Sequence, residues 1–243
     1  MAVLIVDIGN SRVKYCYAEQ ESLSEVVNCA HEKALSFILD SIMKREIEAS
    51  IVSSTASLEF TAEVVNSLKK HTGVTEVSHE LTLPFKMGYE TPKTLGLDRI
   101  ANVCGAIHFH PKNTCLVIDL GTCITYDVIE KGYSYHGGAI SPGLQMRFKA
   151  MNDYSAKLPR LQDSHGAQFP GKTTEESLRS GVYYGILGEI NQFILETEQS
   201  FGEVKVHLTG GDYKRFEKGL KSPIFANPKL TLWGLYELLK SNN

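Results

Sequence analysis

One internal echo narrows the architecture of this chain more than any other feature. Residues 4–15 read LIVDIGNSRVKY and residues 116–127 read LVIDLGTCITYD. Both are apolar runs that end in an aspartate and continue through x-Gly and small polar residues. An aspartate that closes a buried strand is costly unless a cation or hydrogen-bond donors meet it. Two in matching register imply a shared task. The spacing is that of a duplicated domain rather than a solenoid repeat. It predicts two related halves, each opening on strand, Asp-x-Gly turn and strand, with a boundary near Pro111: residues 1–111 and 112–243.

The rest of the pattern fits that division. In the first half LIVDIG, RVKYCYAE and SEVVNCA read as strands, and Leu35, Ile38, Leu39 and Ile42 have helical spacing. ASIVSST is a short strand and Ser57 to Lys70 a helix. DRIANVCGAIHFH, opening on Asp98, is a further helix. The second half restarts with TCLVIDLG, ITYDVIE and YSYHGGAIS as strands. A helix follows, with Pro142 suited to its first turn. Residues 174–200 form a long amphipathic helix, VKVHLTGGD is a strand meeting a glycine turn, and Pro228 to Lys240 closes as a helix. Hairpins followed by helices predict α/β layers.

Composition excludes several functions. The chain has 243 residues, enough for a substantial core. Its net charge is −3 and it has no dense Lys/Arg block, so nucleic-acid binding has no electrostatic footprint. Five cysteines, with no C-x-x-C pair, argue against a disulfide framework or structural zinc and fit a reducing cytoplasm. Asp7 interrupts the N-terminal apolar run, so neither a cleavable leader nor a membrane span is expected. Eight histidines form no ligand-spaced cluster beyond His108-x-His110.

The two turns suggest their own chemistry. A glycine after the aspartate lets a ligand approach the backbone, and exposed N–H groups with small polar side chains make an anion-binding concavity. Two such turns facing each other would grip a polyphosphate from both sides. The aspartates, which phosphate would repel, make sense as holders of a cation or its water shell. Lys14 offers a point charge to the same phosphates. The plain alternative for either turn is a strand end capped by its aspartate. No P-loop is present.

DIGNSRVK at 7–14, GLDR at 96–99, DLGT at 119–122 and GGAISPG at 137–143 occur in this order. Together they resemble the type III pantothenate kinases of the acetate and sugar kinase/Hsp70/actin superfamily, over essentially the whole chain. The resemblance implies two ribonuclease-H-like (actin-like ATPase) domains flanking a nucleotide cleft. It also implies ATP-dependent phosphorylation of pantothenate to 4'-phosphopantothenate, the first step of coenzyme A biosynthesis. The ATP phosphates are then expected on Asp7, Ile8, Gly9, Asn10, Ser11, Arg12, Val13, Lys14 and Thr122. Pantothenate is expected on Tyr89, Gly96, Leu97, Asp98, Arg99 and Thr174, with neighbouring Thr173 open as an alternative to Thr174. Asp98 matches the family's proton acceptor, and Asp119 its monovalent-cation ligand, for potassium or ammonium. A divalent cation, magnesium, is implied with ATP, as is a cytoplasmic homodimer with a shared substrate pocket.

Other readings of these residues stay open at this level. Asp98 could cap a helix beginning at Arg99, and Arg99 could form a surface ion pair. Asp127 reads as a partner behind Asp119 or as a strand-end charge. GGAISPG shapes the site or lets two backbones approach. LTGGD at 208–212 is an adenosine-side turn or an ordinary turn before a helix. The Tyr183–Leu195 stripe is core, or a dimer face. Another kinase of the superfamily, a non-catalytic regulator and an actin-like filament protein compete as functions.

Overall fold

The computed structural model describes residues 2–9, 12–162 and 167–243. The chain forms two compact units, Met1–Phe109 with Lys229–Asn243, and His110–Pro228. The chain crosses from the first unit to the second after Phe109 and returns to the first after Pro228, so the closing helix joins the first unit rather than the second.

The first unit contains β1 (Ala2–Ile8), β2 (Val13–Glu19), β3 (Ser22–Leu23), β4 (Val27–Cys29), α1 (His31–Ile42), β5 (Ile47–Ser54), α2 (Leu58–Leu68), β6 (Gly73–Glu76), β7 (Lys86–Met87) and α3 (Leu97–Phe109). Its sheet runs β3-β2-β1-β5-β6, with β4 also on β2. β1 is antiparallel to β2 and parallel to β5. Alternation along β1 sends Leu4, Val6 and Ile8 into a core with Val13, Tyr15 and Tyr17 of β2, Ala34 and Ile38 of α1, and Val64 and Leu68 of α2. Each fully buried side chain of this kind is worth roughly 1.5–3 kcal/mol. The same alternation turns Ile5 and Asp7 to the opposite face of the sheet.

The second unit contains β8 (Thr114–Leu120), β9 (Cys123–Glu130), β10 (Ser134–Pro142), α4 (Leu144–Asp153), α5 (Thr174–Phe201), β11 (Val204–Thr209), α6 (Tyr213–Phe216) and β12 (Ile224–Ala226). Its strands run β12-β11-β8-β9-β10. β8 is antiparallel to β9 and parallel to β11, so the first unit's arrangement is repeated around the second aspartate. On α5 a stripe with a four-residue interval, Leu178, Val182, Ile186, Ile190 and Ile194, packs on Leu116, Ile118, Leu120, Ile124 and Tyr126.

The last helix, α7 (Leu230–Lys240), returns to the first unit and packs against α3, β1 and β5. The two helices touch through their backbones. A Cβ on Gly234 would collide with the Ala101 carbonyl, and one on Gly105 with the Leu230 carbonyl. This explains why α3 is apolar nearly all round, with Ile100, Ala101, Val103, Cys104 and Ala106 buried.

Several local expectations are corrected. Pro142 ends β10 rather than opening a helix; Gly143 precedes α4, and Leu144 is its first residue. α3 begins at Leu97, so Asp98 lies within its first turn and is not its cap. The third strand shrinks to Val27–Cys29, and the short parallel strands β6 and β12 were not foreseen. Both sit at the far edge of the parallel side, where a few residues suffice to pair. Among the described residues no helix is long and apolar enough to cross a membrane.

Candidate active site

β1 delivers Asp7 to the carboxyl end of the strand where neighbouring strands change sense, the position at which open α/β sheets bind ligands. Lys14 stands opposite Asp7 across the β1–β2 ladder, and Ser53 beside it on β5. Burial pushes the Asp7 carboxyl up to about 6; Lys14 opposes the shift and the charge of Asp98 adds to it. A carboxyl held this way gains from a cation, which fits Asp7 as an indirect partner of bound phosphate. The Gly9 N–H closes the turn on the Arg12 carbonyl at 2.9 Å, and His31 Nε2 donates to the Gly9 carbonyl at 2.9 Å. Arg12 is turned back onto Asn28, with Nε 2.6 Å from Oδ1 and Nη2 3.1 Å from the carbonyl. Ile8 and Val13 bury their side chains in the core, so only their main chain is left for a ligand. Asn10 and Ser11 lie outside the described residues.

The first turn of α3 brings the other acidic group of this unit near Asp7. Asp98 is half-buried, and its Oδ1 accepts the Arg99 N–H at 2.8 Å. Arg99 is 4 % exposed, which removes the surface ion-pair alternative. Its guanidinium lies 5.9 Å from the Tyr89 ring centroid, a cation–π contact joining two residues that the sequence separates. The loop before α3 is held by His79, whose Nε2 donates to the Leu95 carbonyl at 2.8 Å. A Cβ on Gly96 would strike the Asp98 carboxylate, so glycine there keeps the carboxylate's position open. Asp7, Lys14, Tyr89, Gly96, Leu97, Asp98 and Arg99 all belong to this unit.

The second unit surrounds its aspartate differently. Asp119 Oδ1 would lie 3.3 Å from a Cβ on Gly121 and 2.5 Å from one on Gly210. Gly210 has φ +92°, and the Asp212 N–H donates to the Leu120 carbonyl at 3.0 Å. LTGGD is thus a turn before α6 in which Gly210 packs directly against the Leu120 main chain and the Asp119 carboxylate, an approach that a Cβ would block. Thr122 is exposed beyond the turn, and its carbonyl accepts the Gly143 N–H at 3.1 Å. A Cβ on Gly143 would strike the Gly121 and Thr122 carbonyls, and one on Gly138 the Tyr126 carbonyl. GGAISPG is therefore a close-approach device that also buttresses the Thr122 turn. Asp127 is not a strand-end charge. It is fully buried in the middle of β9 and accepts the Tyr135 hydroxyl at 2.6 Å.

A cavity of about 440 Å³ opens against Thr122, and Gln145, Lys149 and Arg160 line it. Neither cation follows a sequence pattern that would have singled it out. On α5, Thr173 is the N-cap and is engaged reciprocally: its Oγ1 accepts the Glu176 N–H at 3.2 Å, while Glu176 Oε2 accepts the Thr173 N–H at 3.1 Å. Thr174 is the first helical residue and is exposed. Among the described residues one group of three ligating side chains gathers, Glu21, His108 and Glu237. Lys240 Nζ sits 3.0 Å from both carboxylates, and His108 Nδ1 bonds Glu237 at 2.8 Å, so these groups are already engaged with one another and with a lysine. His110, the other histidine of that pair, instead meets buried His207 at 3.0 Å.

The sequence from residue 3 to 196 matches the family model described as type III pantothenate kinase. The chain belongs to the type III pantothenate kinases. A relative of that name from Phocaeicola vulgatus is 38% identical over 243 residues, covering 99% of this chain and 98% of its own. A protein from Campylobacter jejuni, described as a Baf family transcriptional activator, superposes with TM-score 0.64 at 23% identity, over 98% of both chains. A glucokinase from an Antarctic psychrotroph gives TM-score 0.55 at 9% identity, again over 98% of both. Those two likenesses concern the fold, two ribonuclease-H-like domains of the actin-like ATPase and sugar kinase type. The family comprises kinases that use ATP, with a divalent cation, to phosphorylate pantothenate in coenzyme A biosynthesis.

Proposed function

We propose that this chain phosphorylates the primary hydroxyl of pantothenate with Asp98 as the proton acceptor. An alcohol is too weak an acid to ionise at neutral pH, so a carboxylate must orient it and take its proton late in the transition state. Asp98 suits that task. Oδ1 is held by the Arg99 N–H in the first turn of α3, which fixes the direction of the carboxylate. The Arg99 guanidinium, steadied by Tyr89, binds the pantothenate carboxylate. Thr174 contacts the same substrate, a reading favoured over Thr173 because the Thr173 hydroxyl is occupied in capping.

Phosphoryl transfer depends on positioning and on neutralising charge more than on covalent chemistry. The main chain of the β1–β2 turn and Lys14 hold ATP phosphates, as does Thr122 beside the cations Lys149 and Arg160. Asp7 would orient the water shell of a divalent cation, and Asp119, at the end of the equivalent strand β8, would hold a monovalent cation, potassium or ammonium. When bound, these ions spread the negative charge of the phosphate oxygens. The enzyme acts as a homodimer in the cytoplasm, which the five free cysteines suit.

The observation that carries this reading is the approach of Asp98 to Asp7 in one unit, close enough for one charge to bear on the other. The test is ATP consumption by purified protein with and without pantothenate, in potassium and in sodium. Pantothenate-dependent turnover that is faster in potassium is expected. Absence of pantothenate-dependent turnover in both salts overturns the proposal in favour of a non-catalytic regulator. Thr174→Ala should raise the pantothenate KM while Thr173→Ala leaves it unchanged; the reverse result exchanges the two assignments.

A further inference from the structure

The middle of α5 carries a carboxylate with no part in the chemistry above and an unusual number of partners. Glu189 Oε1 accepts the Tyr126 hydroxyl of β9 at 2.7 Å and also the Ser141 hydroxyl of β10. Glu189 Oε2 accepts Arg147 Nη2 of α4 at 2.6 Å. Arg147 uses the rest of its fork on the turn between β10 and α4: Nε donates to the Pro142 carbonyl at 2.8 Å, and Nη2 also reaches Ser141 Oγ at 3.3 Å. The ion pair is largely shielded, with the side chains 20% and 24% exposed. Burial alone would raise the Glu189 carboxyl, but the donors Ser141, Arg147 and Tyr126 outweigh it and hold the group below its ordinary value. A carboxylate with this many donors favours its ionised form, and its geometry is fixed by three elements at once.

What this anchor holds is the Pro142–Gly143 turn, and that turn touches the exposed end of the β8–β9 hairpin. The Gly143 N–H donates to the Thr122 carbonyl at 3.1 Å, and the Arg147 N–H donates to the Gly143 carbonyl at 3.0 Å. The contact leaves no slack, since even a methyl group on Gly143 would overlap the Gly121 and Thr122 carbonyls. Any shift of the turn is therefore passed directly to Thr122.

We propose that Glu189, acting through Arg147 and the Pro142–Gly143 turn, is a positioning residue that sets the place of Thr122 against the transferred phosphates. The inference rests on the reading of Thr122 as a phosphate contact. It predicts that Glu189 matters to the nucleotide and not to pantothenate. Arg147→Lys keeps the charge but cannot hold Glu189 and the Pro142 carbonyl together, so it should behave like loss of Glu189. Tyr126→Phe removes one donor and leaves the ion pair, so it should be close to wild type.

The experiment measures steady-state KM for ATP and for pantothenate, with thermal unfolding in parallel, for Glu189→Gln, Arg147→Lys, Tyr126→Phe, Thr122→Ala and the Thr122→Ala/Glu189→Gln pair. Glu189→Gln and Arg147→Lys should each raise the ATP KM about tenfold and leave the pantothenate KM within twofold. The double variant should be no worse than Thr122→Ala alone, because both changes act on one contact. An unchanged ATP KM in Glu189→Gln, whether or not the unfolding temperature falls, overturns the inference, and so does full additivity in the double variant. If Thr122→Ala leaves the ATP KM unchanged, the phosphate role of Thr122 fails and the inference with it. If Thr122→Ala raises the ATP KM and Glu189→Gln does not, only the positioning role fails.

Discussion

The two Asp-x-Gly turns begin from nearly the same letters and end in different surroundings. In the first unit Asp7 is met by side chains, with Lys14 across the ladder and Asp98 on α3 near enough to act on its charge. In the second unit two glycine turns close on the end of the Asp119 strand, and Gly210 lies so near the Leu120 main chain and the Asp119 carboxylate that a Cβ there would collide with both. The first arrangement concentrates titratable groups and suits proton transfer. The second brings main chain close against a carboxylate. The fold thus presents one scaffold twice, and the residues brought in from elsewhere in each unit give the two aspartates different surroundings.

The largest effect expected from this contrast is on turnover. Asp98→Asn keeps the shape of the α3 first turn and removes the proton acceptor, so kcat should fall about 10²- to 10⁴-fold with unfolding unchanged. Near-normal kcat would mean that the first unit is not where the proton goes.

Next is the difference between the two sets of glycines. Gly210→Ala must place a Cβ at φ +92° beside the Asp119 carboxylate, and the backbone strain alone costs about 1–2 kcal/mol. Gly9→Ala meets only the Arg12 carbonyl at 3.2 Å and should cost less than about 1 kcal/mol. Chemical denaturation of the two variants compares them; equal losses would erase the distinction between a side-chain site and a backbone site.

The smallest effect is in the pH dependence of stability, where the units should differ in sign. Asp7 has a raised carboxyl, so its contribution is favourable at low pH and is lost as pH rises through about 6. Asp7→Asn should therefore stabilise the ligand-free protein by roughly 1–3 kcal/mol above pH 7 and have little effect at pH 4. His207 is buried, which lowers it to about 3. Its contribution is present above the ordinary histidine value near 6.5 and is lost as pH falls toward 3. His207→Gln should flatten the loss of stability below pH 6.5 without altering the slope attributed to Asp7. Thermal unfolding between pH 4 and 8 reads both. A gain from Asp7→Asn that is the same at every pH would remove charge as the cause.

Much of the candidate site could be read from the sequence because its signals are local. GLDR places a carboxylate and a guanidinium on one helix start, and the structure adds only that Arg99 is buried and leans on Tyr89. The strand-end reading of Asp127 failed because a single buried charge in a strand looks, in one dimension, like a strand end. Its Tyr135 partner stands on the neighbouring strand, and the β9–β10 pairing decides their meeting. Pro142 suited a helix start as well as a strand end, and only the β10 ladder chose between them.

The sequence by itself determined the duplication, the strand-ending aspartates, the main helices and the family, because alternation, helical spacing and turn chemistry act over a few residues. Only the tertiary structure decided that the closing helix returns to α3, that Gly210 stands against Asp119, and that Glu189 reaches Tyr126 across 63 residues of chain. Those meetings come from the packing of whole faces through space, and a linear pattern carries no measure of which distant surfaces will bury one another.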